Sequence, residues 1–459
     1  MSETLISVGL DVGTTTTQMI LSKLSVENRA TGFAVPEMII SNRQVFYESA
    51  VHFTPLAGKD LVDAKGVRAI VEAEYQKAGI RKEQVDTGAV IITGETSRKE
   101  NAKAVLDAVA AFAGDFVVAT AGPDLESVLA AKGAGAVAYS EKTGKRVLHM
   151  DIGGGTSNLA LIENGTVVKT GCLNVGGRLL KIAEGKVTYV SPVLTGLTHL
   201  QVGNSADPEQ IRQVADILVQ ALEMAAGLRE KTVLLDKLWT EESGESWVLQ
   251  EKAVISFSGG VADCIDAVHP DHAFGDIGPV LGQAIAKSLL CQNEYRTGEQ
   301  TIRATVIGAG CHSAKLSGST VFYSGVQLPV KNLPVAVFSR EEQDREDLPL
   351  LIEEKRRRSD SDTVVLALPG YQGATYGQIT QLAERIVRGV KNGQVLVCLE
   401  ADMAKALGQK LQLLLPDRPC LCIDRVLLTE GSFLDVGKPV GPALPVVIKT
   451  LILSNGGSV

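Results

Sequence analysis

Two stretches of this chain decide its fold when written one above the other. The first is Asp11-Val12-Gly13-Thr14-Thr15-Thr16-Thr17-Gln18-Met19-Ile20-Leu21. The second is Asp151-Ile152-Gly153-Gly154-Gly155-Thr156-Ser157-Asn158-Leu159-Ala160-Leu161. They align without a gap, 140 residues apart. Asp, Gly, Thr16/Thr156 and the final Leu match outright, and Val/Ile, Thr/Ser, Gln/Asn and Met/Leu are conservative pairs. Each copy follows a short apolar run, Leu5–Leu10 or Val147–Met150, that reads as a buried strand, and each runs into a second apolar stretch. The chain therefore carries two strand–Asp-x-Gly–turn–strand units, an internal repeat on the scale of a domain.

Such a unit suits phosphate and metal chemistry. Glycines let a turn approach a polyphosphate closely, with backbone N–H groups facing the anion. Threonine hydroxyls add donors, and an aspartate at the strand end is a hard oxygen ligand suited to Mg²⁺, usually through water. Two such turns facing one another across a cleft could hold a polyphosphate from both sides. One turn of this kind is common; two in register at this spacing are specific.

Working outward, the remaining chain alternates short apolar runs with amphipathic helical patterns, an α/β layout. Helices are expected over Gly66–Gly79, Asn101–Phe112, Asp207–Leu228 and Val280–Leu290, with Asp207 as N-cap and Pro208 at the first helical position. A strand is expected over Val254–Phe257, and Glu163-Asn164-Gly165 reads as a hairpin turn. A seam is expected near 330–362, where Pro329 and Pro334 precede the charged run Glu353–Arg358, read as a solvated linker or loop. Beyond it, strands at Thr363–Leu368 and Val395–Leu399 alternate with helices at Gln378–Val390 and Ala401–Leu415. The expected units are 1–145, 146–328 and 329–459, in keeping with about three domains for 459 residues.

Composition narrows the function. Hydrophobic residues make up 45% and charged residues 21%, a globular balance. The formal net charge is −8, so nothing favours nucleic acid as a partner. Seven cysteines are scattered without a CxxC, as expected of a reduced cytoplasmic protein. The stretch MSETLISVGL lacks a basic, then apolar, leader pattern, and no apolar run approaches the length of a membrane span. His269-Pro270-Asp271-His272 reads as a loop rather than a metal pair, and the six histidines form no recognisable triad. Gly176-Gly177-Arg178 is read equally as an ordinary turn or as the opening of a helix near a nucleotide.

The paired Asp-x-Gly turns resemble the two phosphate motifs of the actin-like ATPase superfamily. The other motifs of that superfamily follow in order. Ile255-Ser256-Phe257-Ser258-Gly259-Gly260-Val261-Ala262-Asp263 resembles its adenosine motif. Pro123-Asp124-Leu125-Glu126-Ser127-Val128-Leu129-Ala130-Ala131 resembles its first connecting helix, and Ile307-Gly308-Ala309-Gly310 its second. The resemblance covers roughly residues 5–320 and implies two duplicated α/β lobes around a nucleotide cleft. It implies that Asp11 and Asp151 hold hydrated Mg²⁺. Gly13, Thr14, Thr15 and Thr16 would face ATP phosphates from one side, and Gly153, Gly154, Gly155 and Thr156 from the other. Gly259, Gly260 and Gly308 would lie against the nucleotide. Glu126, if it is not simply a carboxylate on a helix surface, would position the attacking water.

A narrower resemblance runs almost end to end. Thr93-Gly94-Glu95-Thr96-Ser97-Arg98-Lys99-Glu100-Asn101-Ala102, Ala121–Ser127, Asp435–Val440 and Pro445–Leu451 look like the ethanolamine utilization protein EutA family, the reactivating factors of ethanolamine ammonia-lyase. Membership implies an ATPase using ATP and Mg²⁺ to release damaged cobalamin from the inactivated lyase, with cobalamin met only transiently or through that partner. No membrane contact is expected, the expected location is cytoplasmic and extends to a bacterial microcompartment, and the oligomeric state is left open, with a homodimer among the forms. The alternatives are a glutamate mutase reactivating protein, a small-molecule kinase or a filament-forming protein of the same fold. The region 363–459 is open to two readings, a partner-contacting unit or a completion of the second lobe.

Overall fold

The computed structural model describes residues 3–13, 16–28, 38–58, 61–92, 105, 118–120, 123–240, 243–298, 300–312, 315–316, 320–358, 363–439 and 443–450. The first sheet is built from β1 (Glu3–Val12), β2 (Thr16–Asn28), β3 (Met38–Glu48), β4 (His52–Phe53), β7 (Thr87–Ile92) and β8 (Val118–Thr120). A small pair, β5 (Leu56–Gly58) and β6 (Leu61–Val62), stands beside it. The second sheet is built from β9 (Val147–Ile152), β10 (Ser157–Glu163), β11 (Thr166–Leu173), β14 (Val254–Ser258) and β15 (Tyr295–Thr297), with a separate hairpin of β12 (Leu180–Ala183) and β13 (Lys186–Val190).

The two sheets share one topology. Their orders are β3-β2-β1-β7-β8 and β11-β10-β9-β14-β15. In each, the first three strands are antiparallel neighbours and the last two run parallel to the first strand of the lobe. The repeat seen in the sequence is thus a repeat of whole lobes, the duplicated α/β arrangement of the actin-like fold. Local chemistry explains the turns. Asn164 and Gly165 take φ of 48° and 76° between β10 and β11, as a two-residue hairpin demands. The helix Pro208–Ala225 is capped by Asp207, whose carboxylate accepts from Glu209 N. Its apolar face buries Leu218 and Leu222 completely in the second lobe's core, worth about 2 kcal/mol for each such side chain.

Two helices exchange lobes. Helix Pro123–Gly133 follows the first sheet but packs on β9, β10 and β11, whereas helix Ala304–His312 follows the second sheet but packs on β1, β2 and β7. They cross each other between the lobes. A Cβ on Gly133 would lie 1.8 Å from the Ala304 carbonyl oxygen, and one on Gly308 would lie 2.0 Å from that of Leu129. Only glycine permits backbones this close.

The rest of the chain forms a third sheet of eight strands: β16 (Lys315–Leu316), β17 (Phe322–Ser324), β18 (Val330–Val337), β19 (Val365–Leu368), β20 (Val395–Leu399), β21 (Cys420–Ile423), β22 (Ser432–Val436) and β23 (Pro445–Thr450). Strands β18 to β21 are parallel. Helices Leu348–Arg358, Tyr376–Gly389 and Ala404–Leu414 connect them and pack over one face. Val447 of β23 is buried with Ala89 and Ile91 of β7 and with Ala309, so this unit leans on the first lobe.

The charged run Glu353–Arg358 corrects the linker expectation: it is the second half of helix Leu348–Arg358. Leu348 and Ile352 are fully buried, and the charges occupy the outer side. There Lys355 Nζ donates to Glu342 Oε2 at 2.9 Å, and Lys391 pairs with Glu353 at 2.8 Å. The expected helix at Asn101–Phe112 lies outside the described residues apart from Val105. All seven cysteines are free thiols, and among the described residues no helix is long and apolar enough to cross a membrane.

Candidate active site

The equivalence of the two turns holds at the level of single hydrogen bonds. Asp11 at the end of β1 pairs across to Gln18, and Gly13 N donates to Thr16 O at 2.8 Å. Asp151 at the end of β9 pairs across to Asn158, and Gly153 N donates to Thr156 O at 2.9 Å. The turns face a common cavity of about 380 Å³ between the lobes. Asp11, Gly13 and Thr16 line it from one side, and Asp151, Gly153, Gly154, Gly155 and Thr156 from the other. Glu126, Gly259 and Gly260 also line it. Thr14 and Thr15 lie outside the described residues. Gly308 does not line the cavity; its missing side chain serves the helix crossing instead.

The geometry explains the glycines at two places. Gly259 has φ +87°, and a Cβ there would meet the Ile152 carbonyl oxygen at 2.3 Å. Gly176 would put a Cβ 2.4 Å from Gly154 O. That close approach lets Gly177 N donate to Gly153 O at 3.1 Å and Arg178 N to Gly154 O at 2.6 Å, so the Gly-Gly-Arg segment clamps the second turn.

The cavity is strongly acidic. Asp11, Glu126, Asp151, Asp263 and Asp276 line it, against Arg178 as the only basic side chain among its described lining residues. Burial, with the negative charges of Asp11 and Asp151 beside it, pushes the Glu126 carboxyl well above the usual range, while Asn158 opposes the shift by hydrogen bonding. Burial raises Asp151 as well, opposed by hydroxyl hydrogen bonds from Ser258 to Oδ1 and from Thr305 to Oδ2. Arg178 Nε stands 3.4 Å from Asp276 Oδ2, and Asp276 Oδ1 accepts from Gly278 N at 2.8 Å at the start of helix Gly278–Ala286.

This donor set fits a polyphosphate carried with a hard cation. Anionic phosphates alone would be repelled by the carboxylates, and a divalent cation reconciles the two. Among the described residues, no three His, Cys, Asp or Glu side chains are grouped to ligate one ion directly.

Several residues at the site lie outside those that the sequence marks as site candidates. Thr305, Asp276, Phe274, Ile302 and Gln18 line the cavity, and Ser258 reaches Asp151 from β14. Gln18 had a signal, since it aligns with Asn158 in the repeat. Phe274 and Ile302 come from loops with no motif of their own. His269 and His272 lie in a loop, where the His269 ring tilts against Phe274 with centroids 5.4 Å apart.

Comparison with known proteins identifies the family. The family model for ethanolamine utilisation protein EutA matches residues 3–454. The chain is 40% identical to the ethanolamine ammonia-lyase reactivase EutA of Salmonella typhimurium strain LT2, over 97% of this chain and 98% of that protein. It is 37% identical to the protein of the same name from Escherichia coli strain K12, over 97% and 98%. Among solved structures, a Ppx/GppA family member from Aquifex aeolicus is similar at 13% identity and a TM-score of 0.42, over 67% of this chain and 97% of that one. From the end-to-end family match and two full-length relatives, the chain belongs to the ethanolamine utilisation protein EutA family.

Proposed function

We propose that this protein is an ATP- and Mg²⁺-dependent reactivating factor that frees inactivated ethanolamine ammonia-lyase of damaged cobalamin, so that intact adenosylcobalamin can enter. The observation that carries the reading is the two duplicated Asp-x-Gly turns facing one acidic cavity, in a chain 40% identical along its length to a reactivase of that lyase.

In this reading the turns that follow Asp11 and Asp151 cradle the phosphates from opposite lobes. The Gly13 and Gly153 N–H groups close the hairpins on Thr16 O and Thr156 O, and on the second lobe the N–H groups of Gly154 and Gly155 face the phosphates. Mg²⁺, when bound, would neutralise charge on the phosphate oxygens. Asp11 and Asp151 fix that charge through water, and Arg178, clamped on the second turn, adds a cation on the same side. Glu126 orients a water for attack on the terminal phosphorus. The bond from that phosphorus to the bridging oxygen breaks as the bond to water forms, giving ADP and inorganic phosphate. Phosphoryl transfer asks chiefly for positioning and charge neutralisation, which these groups supply.

Closure of the lobes on ATP and their relaxation on ADP would be felt at the crossed helices. One of them carries Glu126 and the other Thr305. A partner bound across the lobes, or on the third sheet, would be bound differently in the two states, as nucleotide-driven remodelling requires.

The test is recovery of turnover. Ethanolamine ammonia-lyase is inactivated with cyanocobalamin, then given this protein, ATP, Mg²⁺ and adenosylcobalamin. Return of acetaldehyde production that depends on ATP supports the reading. ATP hydrolysis without recovery discards the partner, and absence of ATP binding discards the site.

A further inference from the structure

The two turns are not equal behind their aspartates. Two residues before Asp151 on β9 stands His149, fully buried. Its neighbours on β14 are Ser256, which it faces in register, and Ser258, which faces Asp151. His149 Nδ1 lies 3.1 Å from Ser256 Oγ, and Nε2 lies 2.9 Å from Ser258 Oγ. Ser258 in turn donates its hydroxyl proton to Asp151 Oδ1. At the equivalent places in the first lobe stand Gly9, Ala89 and Ile91, none with a polar side chain. Gly9 serves packing instead. A Cβ there would lie 2.3 Å from the Val306 carbonyl oxygen, so its bare backbone seats helix Ala304–His312.

The hydrogen bonds can be assigned by counting protons. A serine hydroxyl has one proton, and that of Ser258 goes to Asp151. Ser258 must then accept from His149, which places the ring proton on Nε2. Nδ1 is left as an acceptor and takes the proton of Ser256. The chain Ser256–His149–Ser258–Asp151 is thus polarised in one direction, with each proton pointing toward the cleft. Burying a polar ring with both nitrogens satisfied costs little, whereas either serine removed would leave a buried nitrogen unpaired.

We propose that His149 is a positioning residue for Asp151: through Ser258 it fixes the rotation of the Asp151 carboxylate at the second phosphate turn. The proposal rests on the ATPase reading above. It makes Asp151 a pre-set carboxylate at the cavity wall, with its Oδ1 held from the β14 side by Ser258 and its Oδ2 met by Thr305. The role parallels the outer hydrogen bonds that orient metal-binding carboxylates in general.

The experiment uses the full chain and four variants: Ser258→Ala, His149→Leu, His149→Gln and Asp151→Asn. Ser258→Ala removes one oxygen and is the variant least able to disturb the fold, which thermal melting checks. Expected are a kcat for ATP hydrolysis about tenfold lower in Ser258→Ala and His149→Leu, and a rise of similar size in the Mg²⁺ concentration for half activation. Asp151→Asn should lose more than either, since it alters the positioned group itself. The KM for ATP stays within about twofold in the serine and histidine variants, because the phosphate-binding turns are untouched. In His149→Gln the amide NH₂ replaces Nε2–H as donor and the amide oxygen replaces Nδ1 as acceptor. It should restore kcat to within about threefold of the parent. Without nucleotide or metal, the imidazole ¹⁵N spectrum of histidine-labelled protein should show an Nε2–H tautomer for the signal missing in His149→Gln. An Nδ1–H tautomer overturns the proposal. So does unchanged kcat and Mg²⁺ dependence in both Ser258→Ala and His149→Leu while the parent hydrolyses ATP. If the parent itself hydrolyses no ATP, the ATPase reading falls and the positioning role falls with it.

Discussion

Thr305 Oγ1 lies 3.4 Å from Asp151 Oδ2, and this hydrogen bond joins a helix seated on the first lobe to the strand-end carboxylate of the second. A lobe movement would have to stretch it. Thr305→Val keeps the shape and removes the donor. Loss of a long bond to a charged acceptor is expected at about 1 kcal/mol, roughly a fivefold fall in kcat. The ATP KM should hardly move. Steady-state kinetics on the two proteins checks this; equal kcat values would show that the link is idle.

Asp11→Asn separates the chemistry from the fold. Asp11 and Asp151 both press on Glu126 electrostatically, so the cleft stores like-charge repulsion when no cation is bound. Removing one charge is expected to raise stability without Mg²⁺ by about 1 kcal/mol. The same change is expected to lower ATP hydrolysis by about 100-fold or more, because charge neutralisation at the phosphates is what the site supplies. Melting in EDTA and turnover with Mg²⁺ read the two halves independently. A variant that turned over like the parent would remove Asp11 from the site.

What the sequence made legible was local. A strand, an Asp-x-Gly turn and a returning strand are contiguous, so both hairpins and their equivalence could be read from 11 residues each. Gly259-Gly260 was legible for the same reason. Thr305 and Phe274 were not, because they lie in no motif and come to the cavity from elements more than 100 residues along the chain from either turn. Ser258 stands in the adenosine motif, but its role shows only in its contact with Asp151. In sequence a helix glycine such as Gly308 answers equally to a ligand or to another helix; the structure sets it at the helix crossing, where a Cβ would lie 2.0 Å from the Leu129 carbonyl oxygen. The run Glu353–Arg358 looked like a loop because its apolar contacts come from Leu348 and Ile352, just before the charged stretch.

The crossing of the two exchanged helices supplies a stability prediction. Gly308→Ala would drive a Cβ into the Leu129 carbonyl oxygen, which belongs to backbone and cannot rotate away. Overpacking of this kind is expected to cost about 3 kcal/mol. Separation of the helices would also displace Thr305 and Glu126, so ATP turnover should fall together with the melting temperature. Gly135→Ala offers the contrast: it has open space around it and only an unfavourable φ of +76°, so a cost of about 1 kcal/mol is expected. Equal melting temperatures for the two variants would contradict the close crossing.

The third sheet carries a pH-dependent element remote from the cleft. Asp424 follows β21 and is fully buried, with Oδ2 receiving the Thr320 hydroxyl. Burial, partly opposed by Thr320 and reinforced by the neighbouring Asp402 charge, pushes its carboxyl from 3.8 up to about 6. A carboxyl whose pKa is higher in the folded state binds its proton more tightly there. Its contribution to stability is therefore full below about pH 4 and is lost as pH rises to about 6. Asp424→Asn keeps a group that accepts from Thr320 and adds an NH₂ facing Asp402, without a charge to bury. Relative to the parent, the variant should gain on the order of 1 to 2 kcal/mol at pH 8, and the gain should shrink steadily as pH falls from 6 toward 4. Denaturant melts of both proteins at pH 4.5, 6 and 8 measure it. A gain that does not change with pH, or a variant less stable at pH 8, would mean that Asp424 is held in its charged form without penalty.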